Sequence, residues 1–131
     1  GELHARLMRE TGIEARAVEP QRLRQEAAAP GAAPLRWACF GALSPWEVVD
    51  DAGRKLTGLA QQRRRTGVAF SAGTLVSRPD WRLLCEALGA PDDAAQLDRL
   101  TAACDEATGA DRRELDEWAQ AIDEALGRLL G

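Results

Sequence analysis

Cysteine and histidine are too few and too widely spaced in this sequence to suggest a metal centre. The chain of 131 residues contains one histidine, His4, and three cysteines, Cys39, Cys85 and Cys104. No C-x-x-C pair occurs, so neither a zinc site nor a disulfide framework is indicated. An odd number of isolated thiols is typical of a reducing compartment, which predicts a cytoplasmic protein.

Long apolar segments and an excess of positive charge are also missing. No run of about 18 apolar residues occurs, so we expect no transmembrane helix. The polar N-terminus does not resemble a signal peptide. The formal net charge is −4 at pH 7, which argues against a protein whose main role is to bind nucleic acid. Hydrophobic residues make up 45% and charged residues 29%, a balance that predicts a packed domain.

Hydrophobic periodicity divides the single predicted domain, residues 1–131, into a helix and β-meander portion over residues 1–78 and a helical portion over residues 79–131. Apolar residues at helical spacing predict helices over residues 2–11, 21–27, 79–88 and 92–108, and a last helix that begins at Asp111. Short or alternating apolar runs predict strands over residues 13–18, 37–40, 46–49, 54–62 and 68–77, and small residues predict a loop over 27–34. Turn residues at 50–53 and 66–67 join the last three strands into an antiparallel meander. The expected fold class is α/β (α+β), with a mixed or antiparallel sheet and flanking helices.

The stretch GRKLTGLAQ, residues 53–61, places a lysine between two glycines of a predicted strand. Lys55 follows Gly53 by two residues and precedes Gly58 by three. In a regular strand, Gly58 and Ala60 share one face and Lys55 lies on the other. A strand lysine is most often a solvated edge residue, whereas glycine inside a strand often marks the close approach of a ligand or of another backbone. A lysine beside a glycine-lined slot is suited to hold the oxygen of an acyl carbonyl or acyl phosphate.

Four further residues near this strand are candidates for the same site. Cys39 follows a predicted strand; a lone cysteine is most often a small buried hydrophobe, but a neighbouring cation such as Lys55 can activate an exposed thiol. Gly73 and Thr74 either form a bulge or line a ligand slot. Trp46 is placed to form a wall of that slot.

Arg63, Arg64 and Arg65 form a basic run directly before the predicted turn. Such a run is most often the solvated flank of a turn. The functional alternative is contact with an acidic protein partner. Binding of nucleic acid conflicts with the negative net charge of the chain.

Taken in order, these residues resemble the lipoate–protein ligase and octanoyltransferase family, the biotin/lipoate A/B protein ligase catalytic domain. The resemblance is carried by Cys39-Phe40, SPWEV at 44–48, GRKLTGLAQ at 53–61 with Arg63, and GTL at 73–75. It implies a sheet like that of biotin ligases and class II synthetases. It also implies that the chain corresponds to the C-terminal part of such a domain, because nothing matches the R-R-x-T-G-G segment of the family's N-terminal half. A second chain that supplies this half is then an expected partner.

The resemblance also implies roles for individual residues. Lys55 matches the family lysine that contacts the acyl carbonyl or phosphate, and Cys39 matches the cysteine that accepts the acyl group as a thioester. The substrate-binding residues would be Gly53, Gly58, Ala60, Gly73, Thr74 and Trp46. Arg63, Arg64 and Arg65 would dock the acceptor, a lipoyl carrier domain or acyl carrier protein. Two positions depart from the pattern, since Ala72 stands where histidine is common and Leu59 where serine is common.

The predicted function is protein lipoylation, the transfer of an octanoyl or lipoyl group to a lysine of a lipoyl carrier domain. A transferase would need no tightly bound cofactor, whereas a lipoate–protein ligase would need ATP and Mg²⁺. Three alternatives remain from the sequence: a non-catalytic acyl-binding domain of the same family, an unrelated α+β interaction module and, ranked last, a nucleic-acid binder. We expect neither nucleic acid nor a membrane as a partner.

Overall fold

A four-stranded antiparallel sheet runs through the part of the chain that the computed structural model describes, residues 1–27, 33–108 and 112–130. Its strands, in their order across the sheet, are β1 (Arg16–Ala17), β2 (Val48–Val49), β3 (Lys55–Arg64) and β4 (Gly67–Thr74). The helices are α1 (Glu2–Glu10), α2 (Leu23–Ala27), α3 (Trp81–Ala87), α4 (Ala94–Leu100), α5 (Cys104–Thr108) and α6 (Arg112–Leu130), with a 3₁₀ turn at Pro91–Asp93. The predicted mixed class, with an antiparallel sheet and flanking helices, is confirmed.

An irregular register between β2 and β3 sets the direction of the side chains at the start of β3. Val48 lies opposite Thr57 and Val49 lies opposite Lys55, so Leu56 is an extra residue in β3. An extra residue of this kind is a β-bulge, which interrupts the alternation of faces along the strand. As a result Lys55 reaches the face of Gly58, where a Cβ atom would lie 3.2 Å from Lys55 Cε. A regular strand would have kept the two residues on opposite faces.

The main core lies between the sheet, α1 and the segment that follows α4. Its buried members are Ala5, Met8, Ile13, Ala15, Val48, Leu56, Ala102 and Cys104. Removal of these apolar groups from water, at about 25 cal/mol per Å², is the main favourable term in the folding of such a core. Trp118 of α6 packs against it and donates a hydrogen bond from Nε1 to Thr11 Oγ1 at 2.6 Å.

The single helix predicted over residues 92–108 is wrong. The chain leaves the helical conformation at Thr101, which has φ −123° and ψ 152°, and becomes helical again at Cys104. Thr101 forms a parallel bridge with Lys55, and the N–H of Ala102 donates to the carbonyl of Lys55 at 3.0 Å. Hydrogen bonds to the sheet therefore replace the helical bonds that the apolar spacing predicted.

The strand predicted over residues 37–40 is also wrong, because residues 36–41 form consecutive turns. The N–H of Leu35 donates to the carbonyl of Gly41 at 2.7 Å, which closes the loop on itself. A second buried cluster supports this loop, in which Leu35, Ala38 and Phe40 pack against Trp81, Cys85 and Leu97.

Several predicted boundaries shift. The strands expected over residues 13–18 and 46–49 are reduced to two residues each, β1 and β2. Helix α3 begins at Trp81, and the Asp80 side chain caps it by accepting a hydrogen bond from the N–H of Leu83. Most of the loop predicted over 27–34, and the helix start at Asp111, lie outside the described residues.

Strands β3 and β4 form the predicted hairpin. They pair without interruption from Thr57 opposite Thr74 to Arg64 opposite Gly67, and the turn occupies residues 65–66. Residues 60–73 are all exposed, so the outer half of the hairpin extends beyond the packed body.

Candidate functional site

Lys55 is buried at the start of β3, and its ammonium group is fully hydrogen-bonded. Its Nζ atom lies 2.7 Å from Glu47 Oε2 and 2.9 Å from the carbonyl oxygens of both Cys39 and Ala42. A lysine has three N–H donors, and these three acceptors use all of them. The residue is 2% exposed, which excludes the solvated edge lysine that the sequence alone made the commoner expectation.

Glu47 is the counter-charge that makes this burial tolerable. Its Oε2 atom also accepts from the N–H of Ser44 at 2.8 Å, and its Oε1 atom accepts from the N–H of Leu59 at 3.1 Å. Buried charges persist in proteins when they are paired and hydrogen-bonded in this way. The sequence analysis did not select Glu47 as a site residue. The sequence did contain a signal for a buried charge, because Glu47 is the one acidic residue in the predicted strand over 46–49, whose other residues are apolar.

Two glycines face each other beside this ion pair. Gly58 of β3 lies opposite Gly73 of β4. A Cβ atom on Gly73 would reach to 4.0 Å from Phe40 Cζ, and the Phe40 ring centre lies 5.3 Å from Lys55 Nζ. That distance falls within the range of a cation–π contact. The glycine pair therefore leaves a space against which the Phe40 ring and the lysine side chain lie.

A cavity of about 160 Å³ opens at this point. It is lined by Cys39, Phe40, Glu47, Gly58, Leu59, Ala60, Ser71 and Gly73. Four of the predicted site residues, Cys39, Gly58, Ala60 and Gly73, thus share one cavity beside Lys55. Pockets that enclose drug-sized ligands hold roughly 300–1,000 Å³, so this cavity has room for a small reacting group and not for a whole acyl chain.

A second cavity of about 330 Å³ lies next to the first, and Phe40 lines both. Its walls are mainly apolar and include Leu23, Leu43 and Leu100, with Lys55 at one side. Gly53, predicted to bind substrate, lines this second cavity and not the first.

The remaining predicted site residues lie elsewhere. Trp46 and Thr74 line neither of these two cavities, and Thr74 Oγ1 lies 2.9 Å from Thr57 Oγ1. The arginine run from position 63 to 65 lies at the far end of the hairpin. Six residues of strand separate Gly58 from Arg64, which corresponds to about 20 Å.

The three thiols differ sharply in environment. Cys39 is exposed, whereas Cys85 and Cys104 are buried. Burial, with a smaller contribution from the charge of Asp105, raises the pKa of Cys104 to about 12. The thiolate is the reactive form of cysteine, so Cys104 is inert near neutral pH.

Alkylation is expected to distinguish these thiols. Brief treatment of the native protein with iodoacetamide at about pH 8 should add one label, on Cys39, and denaturation should raise the number to three because it exposes the other two thiols. Intact mass and peptide mapping measure both states. A Cys39→Ser variant is the control and should take no label while folded. Comparable native labelling of Cys104 would contradict the burial described here.

Two further observations apply to the described parts of the chain. No group of three or more histidine, cysteine, aspartate or glutamate side chains there is arranged to hold a metal ion. No helix within those residues has the length and apolar character needed to cross a membrane.

Comparison with protein-family models, with curated proteins and with solved structures found no match to this chain. The family resemblance therefore rests on the residues quoted above.

Proposed function

We propose that this chain takes part in cytoplasmic protein lipoylation, by transferring an octanoyl or lipoyl group to a lysine of a lipoyl carrier domain. The observation that carries this proposal is that Cys39, Gly58, Ala60 and Gly73 line one cavity beside Lys55. Under this proposal the domain has the biotin ligase type of sheet and corresponds to its C-terminal part. A second polypeptide with the N-terminal half completes the acyl site.

The proposed chemistry proceeds in two transfers. The Cys39 sulfur attacks the thioester carbonyl of an octanoyl-acyl carrier protein; the bond from that carbonyl to the carrier sulfur breaks, and the carrier thiol leaves with a proton. The acyl group is then a thioester of Cys39. The amine of the acceptor lysine attacks this thioester, an amide forms and the Cys39 thiol is regenerated. Division of one difficult transfer into two is the usual advantage of a covalent intermediate.

Lys55 would stabilise the oxygen that becomes negative in each transfer. Its donors are occupied by one carboxylate and two neutral carbonyls. An anionic oxygen is a stronger acceptor than a neutral carbonyl, so it displaces the carbonyl of Cys39 or Ala42 while Glu47 stays in place. Donors aimed at developing charge in a site with little water are among the largest contributions to catalysis.

The two cavities suit the two ends of the acyl group. The cavity beside Cys39 accepts the carbonyl, and the larger apolar cavity beyond Phe40 accepts the alkyl chain. Phe40 lies between them, so its side chain must turn aside for one acyl group to occupy both.

The full occupation of the Lys55 ammonium favours a second candidate, a non-catalytic acyl-binding or interaction domain. In that case the bonds from Nζ to the carbonyls of Cys39 and Ala42 are purely structural, because they hold the loop against β3. A lipoate–protein ligase is the third form of the proposal. There Lys55 would face the acyl phosphate of a lipoyl adenylate, which forms from lipoate and ATP with release of pyrophosphate and would need Mg²⁺.

Intact-protein mass after incubation with octanoyl-acyl carrier protein tests the transferase. Wild type and a Cys85→Ala control are expected to gain one octanoyl group, and Cys39→Ala is expected to gain none. A parallel reaction adds the N-terminal half of a family member in trans, and an apo lipoyl domain then serves as the acceptor. An adduct that persists in Cys39→Ala would contradict the assigned nucleophile.

The same protein incubated with lipoate and ATP tests the ligase. Formation of a lipoyl adenylate without an adduct on Cys39 would favour the ligase over the transferase. The absence of both products, with and without the added half, would reject both enzymes and leave the binding domain.

A further inference from the structure

The outer half of the β3–β4 hairpin presents an unpaired edge. Strand β4 is the last strand of the sheet in the described part of the chain, and β3 is its one neighbour there. Two-stranded hairpins are only marginally stable in water, and exposed edges tend to pair with other strands. This edge carries no proline and no lysine between residues 67 and 74, so the usual devices that block strand addition are missing from it.

One face of strand β4 is apolar, and β3 adds Leu59, Gln61 and Arg63 to the same face of the hairpin. Because side chains alternate along a strand, Val68, Phe70 and Ala72 of β4 share a face. Phe70 is 76% exposed, which is unusual for an aromatic side chain in a strand centre. The opposite face carries only the small residues Ala69, Ser71 and Gly73 of this strand.

The hairpin also lies in the longest stretch of this acidic chain without an acidic residue. Residues 52–79 contain no aspartate or glutamate. The cations of this stretch outside its arginine run are paired: Arg54 with Asp50 and Glu106, Lys55 with Glu47, and Arg78 with Asp98 and Glu106. The run of three arginines at positions 63–65 has no ion-pair partner within the described residues.

We propose that β4 binds an extended acidic segment of a partner protein as an additional strand. Backbone hydrogen bonds to the free edge supply the affinity, and the Phe70 face receives alternate apolar side chains. Arg64 lies on the opposite face, where it pairs with an acidic side chain, and Arg63 and Arg65 attract the segment by their charge.

A second copy of this chain fits less well, because pairing through β4 would bring together two stretches that both lack acidic residues. This docking site requires no chemistry at Cys39, so it stands apart from the proposed acyl transfer. Its arginine end lies about 20 Å from Gly58, whereas Ser71 and Gly73 at the other end of β4 line the cavity beside Cys39.

The test uses a synthetic peptide of alternating glutamate and valine with the eight-residue length of β4, labelled with fluorescein. We expect anisotropy to show binding that weakens as salt is raised, because salt screens exposed charges. A peptide of alternating lysine and valine should not bind. A glutamate–valine peptide with a central proline should bind at least about tenfold more weakly, since proline removes a backbone donor.

Variants of the protein locate the site. Reversal of the run to glutamate (Arg63→Glu, Arg64→Glu and Arg65→Glu together), and Phe70→Glu alone, should each raise the Kd of the acidic peptide by about tenfold or more. The matched controls on helix α3 are Arg82→Glu and Leu83→Glu, which change an exposed arginine and an exposed leucine and should leave the Kd unchanged. Hydrogen exchange should show new amide protection in β4 when the peptide is bound.

Four outcomes would overturn this docking site. Two concern the peptides: a Kd of the acidic peptide weaker than about 1 mM, and binding of the lysine peptide as tight as that of the acidic one. The other two concern the site: new amide protection outside the hairpin, and a loss of affinity in the α3 controls as large as that in the hairpin variants. Dimerisation of the free protein that Phe70→Glu abolishes would assign the edge to a second copy instead. Tighter binding of a single-stranded oligonucleotide than of the acidic peptide would assign it to nucleic acid.

Discussion

Replacement of Glu47 by alanine is expected to lower the free energy of unfolding by about 3–5 kcal/mol, the usual cost of removing one partner from a buried ion pair. The change leaves the Lys55 ammonium buried with two neutral carbonyls as its acceptors. It also leaves the N–H groups of Ser44 and Leu59 without their acceptor. The ammonium group was desolvated on folding, and nothing in the variant compensates for that cost.

Urea denaturation followed by circular dichroism measures this loss. The matched control is Glu124→Ala, which removes the partner of Arg128 from an exposed ion pair of α6 with an N···O distance of 3.8 Å. This change should lower the free energy of unfolding by less than about 1 kcal/mol. If Glu47→Ala does not fold, Glu47→Gln keeps the shape of the side chain and gives the measurable variant. A loss for Glu47→Ala no larger than that of the control would contradict the buried pair.

Replacement of Glu47 and Lys55 together removes the ion pair without leaving one charge buried alone, so its effect on acyl uptake can be measured in a folded protein. A Glu47→Leu and Lys55→Met double variant removes both charges and keeps approximately the same volume. Apolar replacements of buried ion pairs are often neutral or stabilising, so this variant should unfold near the wild-type urea concentration. If it folds and still takes up an octanoyl group on Cys39, Lys55 has no catalytic role. If it folds without gaining the adduct, acyl uptake requires Lys55, either at the developing negative charge or as the group that holds the Cys39 loop.

Replacement of Trp81 by alanine is expected to destabilise the protein by about 3–5 kcal/mol. Trp81 is 7% exposed and packs with Cys85 and Leu97 in the cluster that supports the Cys39 loop. Its Nε1 atom donates to Thr101 Oγ1 at 3.0 Å. Truncation leaves a large void between α3 and α4, and their short helices have little freedom to close it without displacing the loop.

Denaturation of Trp81→Ala, again by circular dichroism, measures this effect. Trp81→Phe should cost about 1–2 kcal/mol, since it keeps most of the packing and loses the bond to Thr101, whose hydroxyl still donates to the carbonyl of Leu97. Leu84→Ala removes an exposed side chain of the same helix and should change stability by less than about 0.5 kcal/mol. Equal losses for Trp81→Ala and Leu84→Ala would contradict the supporting cluster.

The Glu47→Ala and Trp81→Ala variants both act on the loop that contains Cys39. One side of the loop is held by Lys55, through the carbonyls of Cys39 and Ala42, and the other by the Trp81 cluster. Gly41 closes it, where a Cβ atom would lie 2.2 Å from the carbonyl oxygen of Leu35. A thiol held in this way has a defined position beside the cavity, which is the requirement for covalent catalysis.

Local patterns in the sequence determined the elements that depend on neighbouring residues. Turn residues at 50–53 and 66–67, with short apolar runs beside them, predicted the β3–β4 hairpin. Apolar residues at helical spacing, followed by a glycine, predicted α1 and α3. Gly12 and Gly89 do follow these helices with φ of 84° and 75°, a conformation that glycine adopts without strain. Local chemistry made Cys39 and Gly73 candidates for the same site, and the resemblance added the roles expected of them.

Only the tertiary structure decided how distant segments meet. The Glu47 counter-charge, the bulge that turns Lys55 toward Gly58 and the interruption of the helix at Thr101 all depend on bonds between separate segments of the chain. Periodicity reports which face of an element is apolar, but it carries no information about which backbone groups of another segment lie within hydrogen-bond distance. The sequence alone therefore predicts a strand lysine to be solvated. The fold brings one carboxylate and two carbonyls to the ammonium group, and these acceptors compensate for the cost of burying its charge.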